Sequence, residues 1–124
     1  MSKILIIEDS ETVRAQMEMM LNEGGHLCVT VENGREALEV LSREADFDLI
    51  ITDIFMPEMD GIETIEKITQ KFPGKRIIAV SAGGMGMSGA GMLEIATGLG
   101  ALAVLNKPFA SDDFKRTVEE ALAA

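Results

Sequence analysis

Five side chains in this sequence are of types that could act together: the acids Glu8, Asp9 and Asp53, the hydroxyl of Ser81 and the ammonium of Lys107. Each stands at the end of a short apolar run. Glu8-Asp9 follows KILII, Asp53 closes DLIITD, Ser81 follows RIIAV, and Lys107 comes just after ALAVL. If the fold brings the three acids into one crevice, each pair about 5 Å apart costs roughly 3 kcal/mol at an effective dielectric of 20. Three such pairs cost on the order of 10 kcal/mol, comparable with the whole stability of a small domain. A cluster of this kind needs cations, or must keep some of its protons. Lys107 supplies one positive charge. A hard divalent ion bound by oxygens supplies the rest, and carboxylates on one side with open water positions suit Mg²⁺. The alternative is three separately solvated acids, with Ser81 a helix cap and Lys107 a surface charge.

The elements that would position these groups decide between the two. The stretch Asp48 to Gly61 is the most informative. Leu49-Ile50-Ile51 is too apolar to face water on either side, and open α/β sheets place reactive groups where such strands end. Pro57 biases Met56 away from helix, and Asp60-Gly61 is a turn pair that can cap the next helix. Strand and helix alternate along the rest of the chain. Lys3–Ile7 reads as a first strand, and Ser10 as the N-cap of a helix whose Val13, Met17, Met20 and Leu21 share a face before Gly24-Gly25 stops it. Leu27, Val29 and Val31 alternate with Cys28 and Thr30, the pattern of a half-buried edge strand. Asn33-Gly34 turns the chain into a helix marked by Ala37, Leu38, Leu41 and Ala45. Ile62, Ile65, Ile68 and Phe72 give a third helix its buried stripe, and Pro73-Gly74 ends it.

Arg76–Val80 is a fourth strand, followed by a loop rich in Gly and Met and a short helix around Met92 to Leu99. Ala101–Leu105 is the fifth strand, and Ser111 caps a last helix with Phe114, Val118, Ala121 and Leu122 on one face. Five βα units predict a doubly wound α/β fold: a five-stranded parallel sheet covered on both faces, with right-handed crossovers and the flavodoxin-like strand order 2-1-3-4-5. In that order the first, third and fourth strands are central, and Glu8, Asp9, Asp53, Ser81 and Lys107 converge at one sheet edge.

Composition narrows the class. A chain of 124 residues is one domain by length, spanning 1–124, with no linker or repeat. It is 47% hydrophobic, yet no apolar run approaches the ~20 residues of a membrane span. The N-terminus has no signal-peptide pattern, and a single cysteine, Cys28, excludes an intrachain disulfide and fits a reducing cytoplasm. The net charge of −10 argues against nucleic acid as a partner.

Glu8-Asp9, Asp53 within DIFMPEMDG, Ser81-Ala82 and Lys107-Pro108-Phe109 together resemble the receiver domain of two-component response regulators, over essentially the whole chain. The resemblance implies a CheY-like fold and a regulator with no output domain. It implies Asp53 as the acceptor of a phosphoryl group from the phosphohistidine of a sensor histidine kinase or phosphotransfer protein. It further implies Mg²⁺ held by Asp9, Asp53 and the backbone carbonyl of Phe55, with Glu8 acting through a water, and Ser81 and Lys107 binding the phosphoryl oxygens. Such a protein is not an enzyme on other substrates; it catalyses only its own phosphotransfer and dephosphorylation. It signals to a further protein target through the face of its fourth helix, fifth strand and fifth helix.

The sequence departs from the family pattern in particular places. Glu8 stands where Asp is more usual. Val104 sits where many members carry an aromatic whose rotamer reports activation. Phe55 is bulky at a position that influences phosphoryl hydrolysis in relatives. The loop after Ser81 is longer than usual and glycine-rich, either an adaptable surface with Met85 and Met87 or a flexible connection. Two rivals stand against the receiver reading: an interaction module that is never phosphorylated, and a flavodoxin-like ligand-binding protein. The complete set Asp9, Asp53, Ser81 and Lys107 opposes the first. The acids after the first strand, where a glycine-rich phosphate loop would be needed, oppose the second.

Overall fold

In a computed structural model the described residues are 2–44, 46–54, 61–81, 94, 95 and 97–124. Five parallel strands, β1 (Lys3–Ile7), β2 (Leu27–Val31), β3 (Leu49–Asp53), β4 (Ile77–Ser81) and β5 (Ala103–Asn106), form one sheet in the order β2-β1-β3-β4-β5. This is the expected topology. Four helices are described: α1 (Glu11–Glu23), α2 (Gly34–Arg43), α3 (Gly61–Lys71) and α4 (Ser111–Ala123). The helix expected around Met92 to Leu99 falls partly outside the described residues, where Glu94, Ile95, Thr97 and Gly98 are helical. Ala45, Phe55, Met85 and Met87 lie outside the described residues as well, whereas Val104 stands on β5.

The two-residue period of the strands divides the core. Leu5, Ile7, Ile50, Ile77 and Ala79 point to one face, packing with Ala37 and Leu41 of α2 and Ile65 and Ile68 of α3. Ile4, Ile6, Leu49, Ile51, Ile78 and Val80 point to the other, packing with Met17 and Leu21 of α1 and Phe114 and Val118 of α4. β1, β3 and β4 are covered on both faces, which is why their sequences are apolar without alternation. β2 and β5 are the edges, and β2 is only partly buried before Val31.

Local chemistry sets the helix ends. The Ser10 hydroxyl accepts from the Val13 N–H, and the Asn33 side chain accepts from the Glu36 N–H, so both residues act as N-caps. Gly24 and Gly25 end α1, Gly25 at φ 83, which favours glycine. The expectation for Ser111 is corrected. The N-cap of α4 is Ala110, which makes no side-chain cap bond, and Ser111 is the first helical residue. The entry is held instead by an aromatic pair: Phe109, just before the cap, stacks on Phe114 with ring centroids 5.2 Å apart. That is the arrangement of a hydrophobic staple, and Asp112 and Asp113 in the first turn complement the helix dipole. His26, in the loop after α1, makes a long-range side-chain contact. Its side chain is only 9% exposed, and Nε2 lies 2.9 Å from Glu119 Oε1, joining the end of α1 to α4.

Candidate functional site

The C-terminal ends of β1, β3 and β4 lie side by side because the strands run parallel in register. Ile7 is opposite Thr52, Asp53 opposite Val80, and Ser81 opposite Asn106 on β5. The residues that end or follow these strands therefore meet at one edge. Glu8, Asp9 and Asp53 each bring a carboxylate oxygen within 4.8 Å of the others.

The three acids are not equivalent. Glu8 is fully buried and Asp53 is 3% exposed, whereas Asp9 is exposed. Burial is tolerable for the first two because Lys107 lies between them. Its Nζ is 2.7 Å from Glu8 Oε1 and 2.7 Å from Asp53 Oδ2. The second Glu8 oxygen, Oε2, accepts from the Ser10 N–H at 3.0 Å. Burial raises the Glu8 pKa, and the charge of Asp53 adds to the rise; Lys107 and the Ser10 N–H oppose it without cancelling it. For Lys107 burial works downward, yet its hydrogen bonds to Asp53 and Glu8, with their charges, win and hold its pKa above the ordinary lysine value.

The scaffold fixes these groups through the backbone. The Glu8 N–H donates to Val31 O at 3.1 Å, and the Ile54 N–H donates to Val80 O at 2.8 Å. The Lys107 N–H donates to Ser81 O at 2.7 Å, so the loop that carries the lysine is tied to the strand that carries the hydroxyl. The peptide between Lys107 and Pro108 is cis. Arg14, on the first turns of α1, donates from Nη1 to Glu8 O at 2.8 Å, and its Nη2 lies 3.8 Å from Glu32 Oε1.

Glu8, Asp9, Asp53 and Lys107 are thus brought together as expected, and Ser81 is buried on the adjoining strand end. Phe55, expected to offer its carbonyl, is outside the described residues. Three residues carry roles that motif reading passes over. Arg14 anchors the Glu8 carbonyl, and the Thr52 hydroxyl donates to Asp53 O at 3.1 Å. Gly61 is the third: a Cβ there would overlap the Asp53 carbonyl oxygen and the Ile54 Cα, and its N–H donates to Ile54 O at 2.7 Å. Its only sequence signal is the Asp-Gly pair, which reads as a turn.

The donor set fits a hard divalent cation. All three side chains offer carboxylate oxygens, and with Lys107 the group carries a formal charge of −2, which one such ion neutralises. An anion recruited to that ion would find the Lys107 ammonium beside Asp53.

The family model for the response regulator receiver domain matches residues 4–119. Sporulation initiation phosphotransferase F of Bacillus subtilis is 31% identical over 120 residues, covering 97% of this chain and 93% of that protein. The DNA-binding transcriptional regulator NtrC of Escherichia coli is 32% identical over 120 residues, or 97% of this chain. The chain spans 24% of the length of that relative. Among solved structures, the chemotaxis response regulator CheY4 of Vibrio cholerae superposes with a TM-score of 0.87 at 27% identity, over 98% of each chain. Among the described residues no helix is long and apolar enough to cross a membrane.

Proposed function

Because the chain belongs to the receiver-domain family of two-component response regulators, we propose that Asp53 accepts a phosphoryl group from the phosphohistidine of a kinase or phosphotransfer protein and that the modified domain signals to a protein target. The observation that carries this reading is the meeting of three carboxylates within 4.8 Å of one another, with the Lys107 ammonium 2.7 Å from Asp53. An Asp53 oxygen attacks phosphorus, the bond from phosphorus to the imidazole nitrogen breaks, and the histidine, whose other ring nitrogen has already taken a proton from solvent, leaves as neutral imidazole. Asp9 and Asp53 would hold Mg²⁺, with Glu8 acting through a water and the Phe55 carbonyl completing the set as the resemblance implies. Bound there, the ion would neutralise charge on the transferring group.

The chain's own residues do the rest. β3 aims Asp53 at the sheet edge, and near-complete burial keeps bulk water from that carboxylate. Lys107 takes up negative charge on the phosphoryl oxygens, and Ser81 offers its hydroxyl to one of them. Phosphoryl transfer asks mainly for positioning and charge neutralisation, so this set suffices without a general acid. The chemistry is confined to the chain's own carboxylate, which makes the domain a switch acting in the cytoplasm and not an enzyme on other substrates. The single cysteine, Cys28, agrees with a reducing compartment. The output face we assign is the one that β5 shares with α4 and the helical segment before β5, because Lys107 N–H to Ser81 O ties β5's end to the site.

Incubation with acetyl phosphate and Mg²⁺, followed by intact mass, tests the reading. One added phosphoryl group is expected for the wild type and none for Asp53→Ala. Modification that survives in Asp53→Ala would place the acceptor elsewhere.

A further inference from the structure

Of the two acids that follow β1, Glu8 is held through its side chain and Asp9 is not. Asp9 is exposed, and among the described residues no hydrogen bond or ion pair fixes its carboxylate. Its direction is therefore set by the backbone on either side of its Cα. Peptide units are planar, so holding one polar atom of a unit restrains the whole unit. The unit after Asp9 is held at its N–H, because the Ser10 N–H donates to Glu8 Oε2 at 3.0 Å. The unit before it is held at its carbonyl, where Arg14 Nη1 donates to Glu8 O at 2.8 Å. Arg14 is itself a fixed post. Its backbone N–H donates to Ser10 O at 2.9 Å as α1 begins, its side chain is only 17% exposed, and Nη2 lies 3.8 Å from Glu32 Oε1. Toward a divalent cation its charge works the wrong way, since a guanidinium beside the acids repels the ion.

We propose that Arg14 is a positioning residue for Asp9: by gripping the Glu8 carbonyl from α1, it fixes the backbone from which the Asp9 carboxylate reaches a divalent cation. The proposal rests on the cation site of the phosphoacceptor reading above. Mg²⁺ demands near-ideal octahedral geometry, so a ligand on an exposed turn serves it only if the turn is rigid. A lysine would not do the same. Its ammonium reaches less far and has no planar fork, whereas the guanidinium meets the Glu8 carbonyl with one nitrogen and faces Glu32 with the other. Positioning and charge therefore predict opposite signs when Arg14 is neutralised: weaker cation binding if it positions Asp9, tighter binding if it only repels the ion.

The test is titration of Mg²⁺ by isothermal calorimetry into wild type, Arg14→Met and Arg14→Lys, with the folding of each checked by circular dichroism. Arg14→Met should bind Mg²⁺ about tenfold more weakly than wild type, the loss typical of removing a residue that supports a metal ligand, although it takes a positive charge away from the site. Arg14→Lys keeps the charge but loses the reach to the carbonyl, so it should be weakened as well, and it decides the matter if the methionine variant does not fold. A residue that only supports the fold would lower stability in urea and leave the Mg²⁺ affinity of the folded variants unchanged. Unchanged or tighter Mg²⁺ binding by folded Arg14→Met, or the same result for Arg14→Lys where that variant has to decide, would overturn the proposal alone. Absence of Mg²⁺ binding by the wild type would overturn the reading beneath it, and the proposal with it.

Discussion

Replacing Lys107 by methionine leaves Glu8 and Asp53 facing each other without their shared cation. Their oxygens lie within 4.8 Å, so at an effective dielectric of 20 their repulsion is at least about 3.5 kcal/mol. Removing one partner of a buried ion pair costs about 3–5 kcal/mol, which agrees. A second route limits the loss. Glu8 can take up a proton instead, and for a carboxyl whose ordinary pKa is 4.5 this costs about 3.4 kcal/mol at pH 7 and about 1.4 kcal/mol at pH 5.5. Repulsion and protonation are nearly matched at neutral pH, and protonation is the cheaper route in mild acid. The sign follows from burial. The folded-state pKa of Glu8 is raised, so this group favours the unfolded chain once the pH exceeds the ordinary carboxyl value, and methionine steepens that trend. Lys107→Met should therefore lose about 3 kcal/mol at pH 7 and about half of that at pH 5.5, with Mg²⁺ restoring more stability to the variant than it adds to the wild type. The chain has no Trp and no Tyr, so urea unfolding followed by far-ultraviolet circular dichroism is the suitable assay. A loss that is the same at both pH values, or below about 1 kcal/mol at pH 7, would show that the carboxylates do not depend on Lys107 as argued.

Other contacts at the same edge carry their own expected outcomes. Gly61→Ala forces a Cβ into the Asp53 and Ile54 backbone and should cost at least about 3 kcal/mol; a melting temperature within a degree of wild type would remove the close approach. Ser10→Ala loses the hydroxyl that accepts from the Val13 N–H at 3.3 Å but leaves the backbone bond to Glu8, so about 1 kcal/mol should be lost in denaturant with phosphorylation on Asp53 retained. Phe55→Asn should shorten the life of the phosphorylated state, because a polar side chain admits the hydrolytic water that an apolar ring excludes; a longer lifetime by timed intact-mass measurement would reverse that assignment.

The fold was readable because its signals are local and redundant. Central strands such as Leu49–Ile51 and Ile77–Val80 are apolar on both faces, helices such as α3 repeat Ile62, Ile65 and Ile68 at helical spacing, and right-handed crossovers leave few ways to join them. The acids were readable for the same reason, since a charged residue closing a buried strand is conspicuous. What was not readable depends on distant partners. Gly61 looks like half of a turn, yet its lack of a side chain is required by the backbone of Asp53 and Ile54, at the far side of the connection from β3. Ser111 looks like a cap, but the stacking of Phe109 on Phe114 settles how α4 begins and moves the cap to Ala110. His26 gains its hydrogen-bond partner from Glu119, 93 residues away.

The site joins both cases. Strand ends gather Glu8 and Asp53 and at the same time remove them from water, so neither can be stable on its own terms. Their stability then rests on Lys107, which is 54 residues beyond Asp53 and is placed by one backbone bond to Ser81. A cation tied to the neighbouring strand makes the pairing sensitive to anything that claims Asp53. By the function proposed above, a divalent ion or a phosphoryl group at that carboxylate would change what Lys107 touches, and through the Ser81 carbonyl that change would bear on the junction of β4 and β5. In this chain the groups that make the crevice tolerable are the same groups that would carry its signal outward.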